Sequence, residues 1–153
     1  IVVRLVGSEM CIRDSFLGTF ALTTGHGLKE LTNEFEKDND DYNSIMSKII
    51  ADRLVEAFSE KMHEMIRIDS WGYSKNESLS INDMIKEKYD GIRPAPGYPA
   101  CPDHQHKDYI WQMLDVEKNT GITLTETRSM FPAASLSGWY FSNPKSKYFM
   151  ISN

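Results

Sequence analysis

The first half of the chain changes its hydrophobic period twice. Two sets of residues alternate from Phe16 onward, namely Phe16, Gly18, Phe20 and Leu22 with Leu17, Thr19, Ala21 and Thr23, and this period of two predicts a buried or half-buried strand. A turn at Gly25-His26-Gly27 ends the alternation. Leu28, Leu31 and Phe35 then follow at spacings of three and four, which predicts a short amphipathic helix.

A longer helical period begins after the acidic run at residues 38–41. Carboxylates at this point favour a helix N-terminus, because they cap exposed amides and oppose the positive end of the helix dipole. The pattern predicts one long helix over residues 42–68, about 40 Å at 1.5 Å per residue. Its apolar positions are Tyr42, Ile45, Met46, Ile49, Ile50, Leu54, Phe58, Met62, Met65 and Ile66.

Short elements separated by loops follow the long helix. Ser80 and Asp83 predict a capping box for a short helix whose inner face would be Ile81, Met84 and Ile85. Residues 91–102 then hold four of the six prolines of the chain. Since proline fixes its own backbone and excludes helix from the residue before it, this segment is predicted to be an extended, stiff loop.

The last third combines one helix with strand-like segments. Apolar spacing around residues 110–117 predicts a helix that stops at Asn119-Thr120-Gly121. Strands are predicted at residues 122–125, 135–141 and 148–151, with the last two forming a hairpin across Asn143-Pro144. The order of strand, helices and further strands predicts an α+β fold, an antiparallel sheet with helices packed around it.

Residues 1–15 carry no sustained period, and the segment at 8–15 is similar to translated adapter or vector sequence. We therefore interpret residues 1–15 as a lead-in outside the fold and residues 16–153 as one domain. The alternative is a short native strand ahead of the domain.

Composition narrows the function classes. The net charge of −5 argues against nucleic acid, which requires a basic surface, and leaves a cationic ligand possible. Cys11 and Cys101 are too few for a disulfide framework, and no apolar run reaches membrane-spanning length. With no secretory signal evident in the sequence, we expect a cytoplasmic protein without a membrane partner.

Three groups of polar residues could carry chemistry. Cys101, His104 and His106 have ligand types that suit zinc, but they lack a fourth ligand at matching spacing, so we predict no metal site. Asp52 and Glu56 lie one helical turn apart, either as a solvated helix face or as an acidic rim for a cationic ligand. Arg93 offers a permanently charged fork for a carboxylate within the proline loop, which suits a zwitterionic ligand bearing an amino acid.

The proline loop also carries a resemblance to a known family. GIRPAPGYPACPDH at residues 91–104 is similar to the signature loop of the C-terminal activation domain of cobalamin-dependent methionine synthase. The resemblance continues in order through DDYNSIM at 40–46, ADRLVEAF at 51–58, GITLTE at 121–126 and PAASLSGWYF at 132–141. It extends over nearly all of the chain from Phe16 onward, although the family's domain starts earlier and continues further.

The resemblance implies a function. In this family the domain binds S-adenosylmethionine and docks on the cobalamin-binding domain of the same enzyme, and a flavodoxin-type donor supplies electrons for reductive methylation of oxidised cobalamin. Zinc belongs to the separate homocysteine module. Carried over by position, Asp52 would serve docking, and the ligand-binding residues would be Glu56, Glu87, Arg93, Ala95, Gly97, Tyr98 and Tyr148. The alternative is a stand-alone binding or docking module that catalyses nothing, and a fragment of this size is not expected to turn over alone.

Overall fold

The computed structural model describes residues 15–148. Its centre is an antiparallel pair of strands, β1 (Leu17–Thr23) and β4 (Ser135–Phe141), in which Leu17 faces Phe141 and Thr23 faces Ser135. A second, smaller pair joins β2 (Thr123–Leu124) to β3 (Met130–Phe131). The predicted α+β class, with helices around an antiparallel sheet, is confirmed.

Five α-helices accompany the strands in the described residues. They are α1 (Leu28–Lys37), α2 (Asp41–Met65), α3 (Ile81–Ile85), α4 (His106–Leu114) and α5 (Val116–Thr120). Asp40 caps α2, because its side chain accepts a hydrogen bond from the Asn43 amide at 3.0 Å, and this bond lowers the pKa of Asp40. A π-helical turn, Ile66–Ser70, extends α2 and completes the predicted long helix.

Helices cover both faces of the central strands. On one face α2 packs its buried residues Val55, Met62 and Ile66 against the sheet, around the stacked rings of Phe20 and Tyr140. On the other face α4 and α5 enclose Ala21 in a second apolar cluster. The alternation of Phe20, Ala21 and Leu22 between the two clusters is the pleat that the sequence period predicts.

Two local predictions differ from the structure, and a third lies largely outside the described residues. Ile81 and Ile85, assigned to an inner face, are 72% and 73% exposed, although the predicted capping box of Ser80 and Asp83 is present. The single helix predicted around residues 110–117 is divided at Asp115. This residue has a left-handed φ of 48°, which ends α4, and α5 begins at the next residue. Residues 149–151 of the predicted hairpin lie outside the described part of the chain, so that hairpin stays a prediction.

Within residues 15–148, no helix combines the length and the apolar character needed to cross a membrane.

Candidate functional site

The proline loop is attached to the sheet edge. Residues 92–94 run antiparallel to the end of β4, with backbone bonds of 2.9 Å between Ile92 and Phe141 in both directions. The Trp139 amide donates to the Pro94 carbonyl at 2.9 Å. The loop therefore begins as a short third strand, and this pairing fixes where its remaining residues lie.

The outer part of the loop is folded on itself. The Gly97 amide donates to the Cys101 carbonyl at 2.8 Å, and the Cys101 amide donates to the Tyr98 carbonyl at 2.8 Å. Gly97 has a φ of +99°, and a Cβ atom there would collide with the ring of His104. Glycine is therefore required both by the backbone angle and by the close packing of His104.

A cavity of about 440 Å³, which we call the α2–loop cavity, lies between α2 and this loop. It is lined by six of the seven predicted ligand-binding residues, Glu56, Glu87, Arg93, Ala95, Tyr98 and Tyr148, together with Phe20, Pro94, Pro99, Ala100 and Leu136. Gly97 shapes the loop beside the cavity. Asp52 lies in an adjoining groove that shares Glu56 and Tyr98 with the cavity. The geometry brings the predicted residues together, and their individual roles stay predictions.

Arg93 directs its guanidinium toward α2. Nη1 donates to Ser59 Oγ at 2.8 Å, and Nη2 donates to Glu60 Oε2 at 2.5 Å. Burial alone would lower the pKa of Arg93, but nearby groups, above all the Glu60 carboxylate, raise it above its ordinary value. The side chain thus remains charged and is already paired within the protein.

Tyr148 closes the cavity from the end of the described chain. Its hydroxyl accepts a hydrogen bond of 2.9 Å from the Arg93 amide. Burial raises the pKa of Tyr148, so the phenol stays neutral at physiological pH.

The cavity is electronegative. Glu56, on α2, and Glu87, just after α3, place two exposed carboxylates along its wall. Arg93 is the one cationic residue among the described lining residues, and Glu60 offsets its charge. An uncompensated negative potential in a small-molecule cavity favours a ligand that carries positive charge.

The sequence and fold both match known proteins. The family described as "Vitamin B12 dependent methionine synthase, activation domain" matches residues 6–153. The chain belongs to this family. A solved structure described as the MetH reactivation domain bound to AdoHcy is 56% identical, with a TM-score of 0.85. That match covers 88% of this chain and 42% of the solved chain, so this chain spans less than half of that relative's length.

Membership of the activation-domain family confirms the resemblance carried by the loop at residues 91–104 and the blocks around it. The family match begins at residue 6, inside the segment interpreted as a lead-in. Residues 1–14 lie outside the described part of the chain, so the domain boundary at Phe16 stays a prediction.

The sequence did not predict the residues that lie behind the cavity lining of this activation domain. Ser59 and Glu60 hold Arg93, and beyond them lie the buried His63 and the buried pair of Arg67 with Glu77. One signal was present, because Glu60 continues the four-residue spacing of Asp52 and Glu56 along α2. Its partner Arg93 is 33 positions away, and no spacing pattern in the sequence indicates that contact.

We expect no structural zinc at Cys101, His104 and His106. His104 packs on Gly97, while Cys101 and His106 line a second cavity. Burial and the nearby Asp103 raise the pKa of Cys101, which disfavours the thiolate that zinc binds. Metal analysis after dialysis should find no stoichiometric zinc, and zinc that is retained by the wild type but lost in Cys101→Ser would contradict this prediction.

Proposed function

We propose that this chain binds S-adenosylmethionine in the α2–loop cavity, and that it does so as part of a cobalamin-dependent methionine synthase. The family match supports the enzyme, and the similar solved structure is described as bound to AdoHcy, the demethylated form of this ligand. A volume of about 440 Å³ lies within the usual range for small-molecule sites.

The electronegative wall of the cavity carries the proposal. S-adenosylmethionine has a permanently positive sulfonium, and a carboxylate stabilises it by charge alone, without accepting a proton. Glu56 and Glu87 provide such carboxylates, since the charge of Arg93 is offset by Glu60. Tyr98 and Tyr148 offer aromatic contacts for the remainder of the ligand.

The role of these residues is to bind and orient the methyl donor. In the full enzyme, cobalamin bound by another domain and reduced by a flavodoxin-type donor would supply the methyl acceptor, and S-adenosylhomocysteine would be left in the cavity. Holding the donor in a fixed direction is the contribution expected of a cavity whose described lining provides charge and shape. We do not expect the chain to turn over alone.

Docking on the cobalamin-binding domain is proposed for the groove beside the cavity. Asp52 lines this groove together with Ile49 and Arg53 from α2 and Ala133 from the segment before β4. A carboxylate in a groove that adjoins the ligand cavity would lie close to the site from which the methyl group is transferred. The setting proposed for this exchange is the cytoplasm.

Glu56→Gln should weaken S-adenosylmethionine binding more than binding of S-adenosylhomocysteine, whose sulfur is neutral. Attraction between unit charges about 4 Å apart in water is about 1 kcal/mol, which corresponds to about fivefold in Kd. Calorimetric titration of both ligands measures the difference. Glu64→Gln is the matched control, because Glu64 lies on the same helix but pairs with Lys61 away from the cavity.

Two results would count against the proposal. Equal losses for the two ligands on Glu56→Gln would remove the electrostatic argument from the cavity. Absence of S-adenosylmethionine binding by the wild-type chain would mean that the described cavity is not sufficient for the proposed function.

A further inference from the structure

The backbone of Arg93 lies beside the cavity, whereas its guanidinium points to the long helix α2. Its side chain is 18% exposed and that of its partner Glu60 is 27% exposed, so solvent screens this ion pair only in part. Ser59, fully buried, accepts the other guanidinium hydrogen bond. The guanidinium is therefore held by two adjacent residues of α2.

The same residue joins three parts of the site. The Arg93 amide donates to the Tyr148 hydroxyl, and its neighbours Ile92 and Pro94 pair with β4. Ala95 and Tyr98, which line the cavity, follow directly along the loop. Any movement of Arg93 would therefore be transmitted to the cavity wall.

If Glu60 were removed, Glu56 would be a carboxylate within the same cavity toward which Arg93 could turn. It lies one helical turn before Glu60 on α2, and both Glu56 and Arg93 line the α2–loop cavity. A partly buried arginine that loses its carboxylate partner is costly, which favours its rotation toward the next available carboxylate. That rotation would place a positive charge against Glu56 and cancel the potential that attracts a cationic ligand.

We propose that Glu60 is a positioning residue for the ligand site: with Ser59 it holds the Arg93 guanidinium on α2, which fixes the loop and keeps Glu56 available to a cationic ligand. This inference rests on the proposed function for its ligand, while the clamp itself is a property of the protein without ligand.

The ligand arm of the test is calorimetric titration of the whole chain with S-adenosylmethionine. Glu60→Gln should weaken binding about tenfold, the scale of one lost charge-assisted contact. Arg93→Met is itself expected to weaken binding, but in that background Glu60→Gln should add little, because no guanidinium remains to be positioned. Glu60→Asp, which keeps the charge, should recover part of the affinity.

The ligand-free arm is amide hydrogen exchange. The Gly97 and Cys101 amides, which are bonded across the loop, should exchange faster in Glu60→Gln, whereas amides of α4 should keep their rates. Glu64→Gln again serves as the control, since Glu64 is about as exposed as Glu60 but pairs with Lys61, one turn further along α2. A change of global stability alone would not single out the loop amides.

Each outcome decides between the two claims. If the wild type binds and Glu60→Gln binds equally, with unchanged loop exchange, the inference is overturned and the proposed function stands. If Glu60→Gln loses affinity equally in the Arg93→Met background, Glu60 does not act through Arg93 and the inference is again overturned. If the wild type does not bind, the proposed function fails, and the exchange rates still decide whether the clamp exists. Should Glu60→Gln fail to fold, Glu60→Asp replaces it in both arms with the same expected direction.

Discussion

Glu77→Ala should lower the free energy of unfolding by about 3–5 kcal/mol, the usual effect of removing one partner from a buried ion pair. Arg67 is completely buried, and Glu77 is 8% exposed. Arg67 Nε and Nη2 donate three hydrogen bonds of 2.6–3.1 Å to the Glu77 carboxylate. Without Glu77, the charge of Arg67 would remain buried, stacked 4.1 Å from the centroid of the Tyr89 ring. Chemical denaturation measures the loss.

Two companion variants separate the cost of an orphaned charge from the value of the pair. The double variant Arg67→Met with Glu77→Leu should lose much less stability than Glu77→Ala, because it leaves no buried charge behind. Asp108→Ala breaks a similar bidentate pair with Arg128 at the surface, where solvent screens the charges, and should have a far smaller effect. Similar losses in Glu77→Ala and Asp108→Ala would contradict the argument.

The long helix shows how far hydrophobic spacing can predict this fold. Its length and a cap within the acidic run at residues 38–41 follow from the sequence, and the structure identifies Asp40 as the capping residue. Its buried face does not follow, because small and polar residues occupy part of it, namely Ala51, Ser59 and His63. Five residues of the apolar stripe that predicted the helix are 49–70% exposed, namely Tyr42, Ile45, Ile49, Ile50 and Leu54. An apolar period locates a helix, but close packing against a sheet also selects residues by size.

The candidate site was predicted from a loop, and the structure adds what holds the loop. Four prolines and a run of family residues marked the segment around Arg93 and Tyr98. The partners of Arg93 on α2 could not be predicted, since a contact between residues 33 or 34 positions apart depends on the packing of helix against sheet. A ligand carboxylate that binds Arg93 would have to compete with Ser59 and Glu60 of α2, which already hold the guanidinium.

A buried histidine lies behind this clamp, between the two arginines. His63 is completely buried, stacks on Tyr140 with ring centroids 5.2 Å apart, and meets Tyr89 edge-on at 5.0 Å. Neither ring nitrogen has a hydrogen-bond partner in the described part of the chain. Burial, reinforced by the positive charges of Arg67 and Arg93, lowers the pKa of His63 to about 2.

We expect His63 to make the protein less stable as the pH falls below about 6.5, the ordinary pKa of histidine. In that range the unfolded chain takes up a proton that the folded protein excludes, so acidification favours unfolding by up to about 1.4 kcal/mol per pH unit. Between about pH 7 and about pH 5 the loss is about 2 kcal/mol. The lowered carboxyl pKa values of Glu36, Asp40 and Asp83 act in the same direction, but mainly below this range.

His63→Phe isolates this contribution, because a phenyl ring can keep the stacking on Tyr140 and does not take up a proton. The free energy of unfolding, measured by denaturant titration at several pH values, should therefore fall by about 2 kcal/mol less in His63→Phe than in the wild type between about pH 7 and about pH 5. His106→Phe is the matched control, since it removes an exposed imidazole of α4 and should keep the wild-type dependence. If the free energy of unfolding depended on pH equally in the wild type and in His63→Phe, His63 would accept its proton in the folded protein. That result would contradict a buried histidine kept neutral beside Arg67 and Arg93.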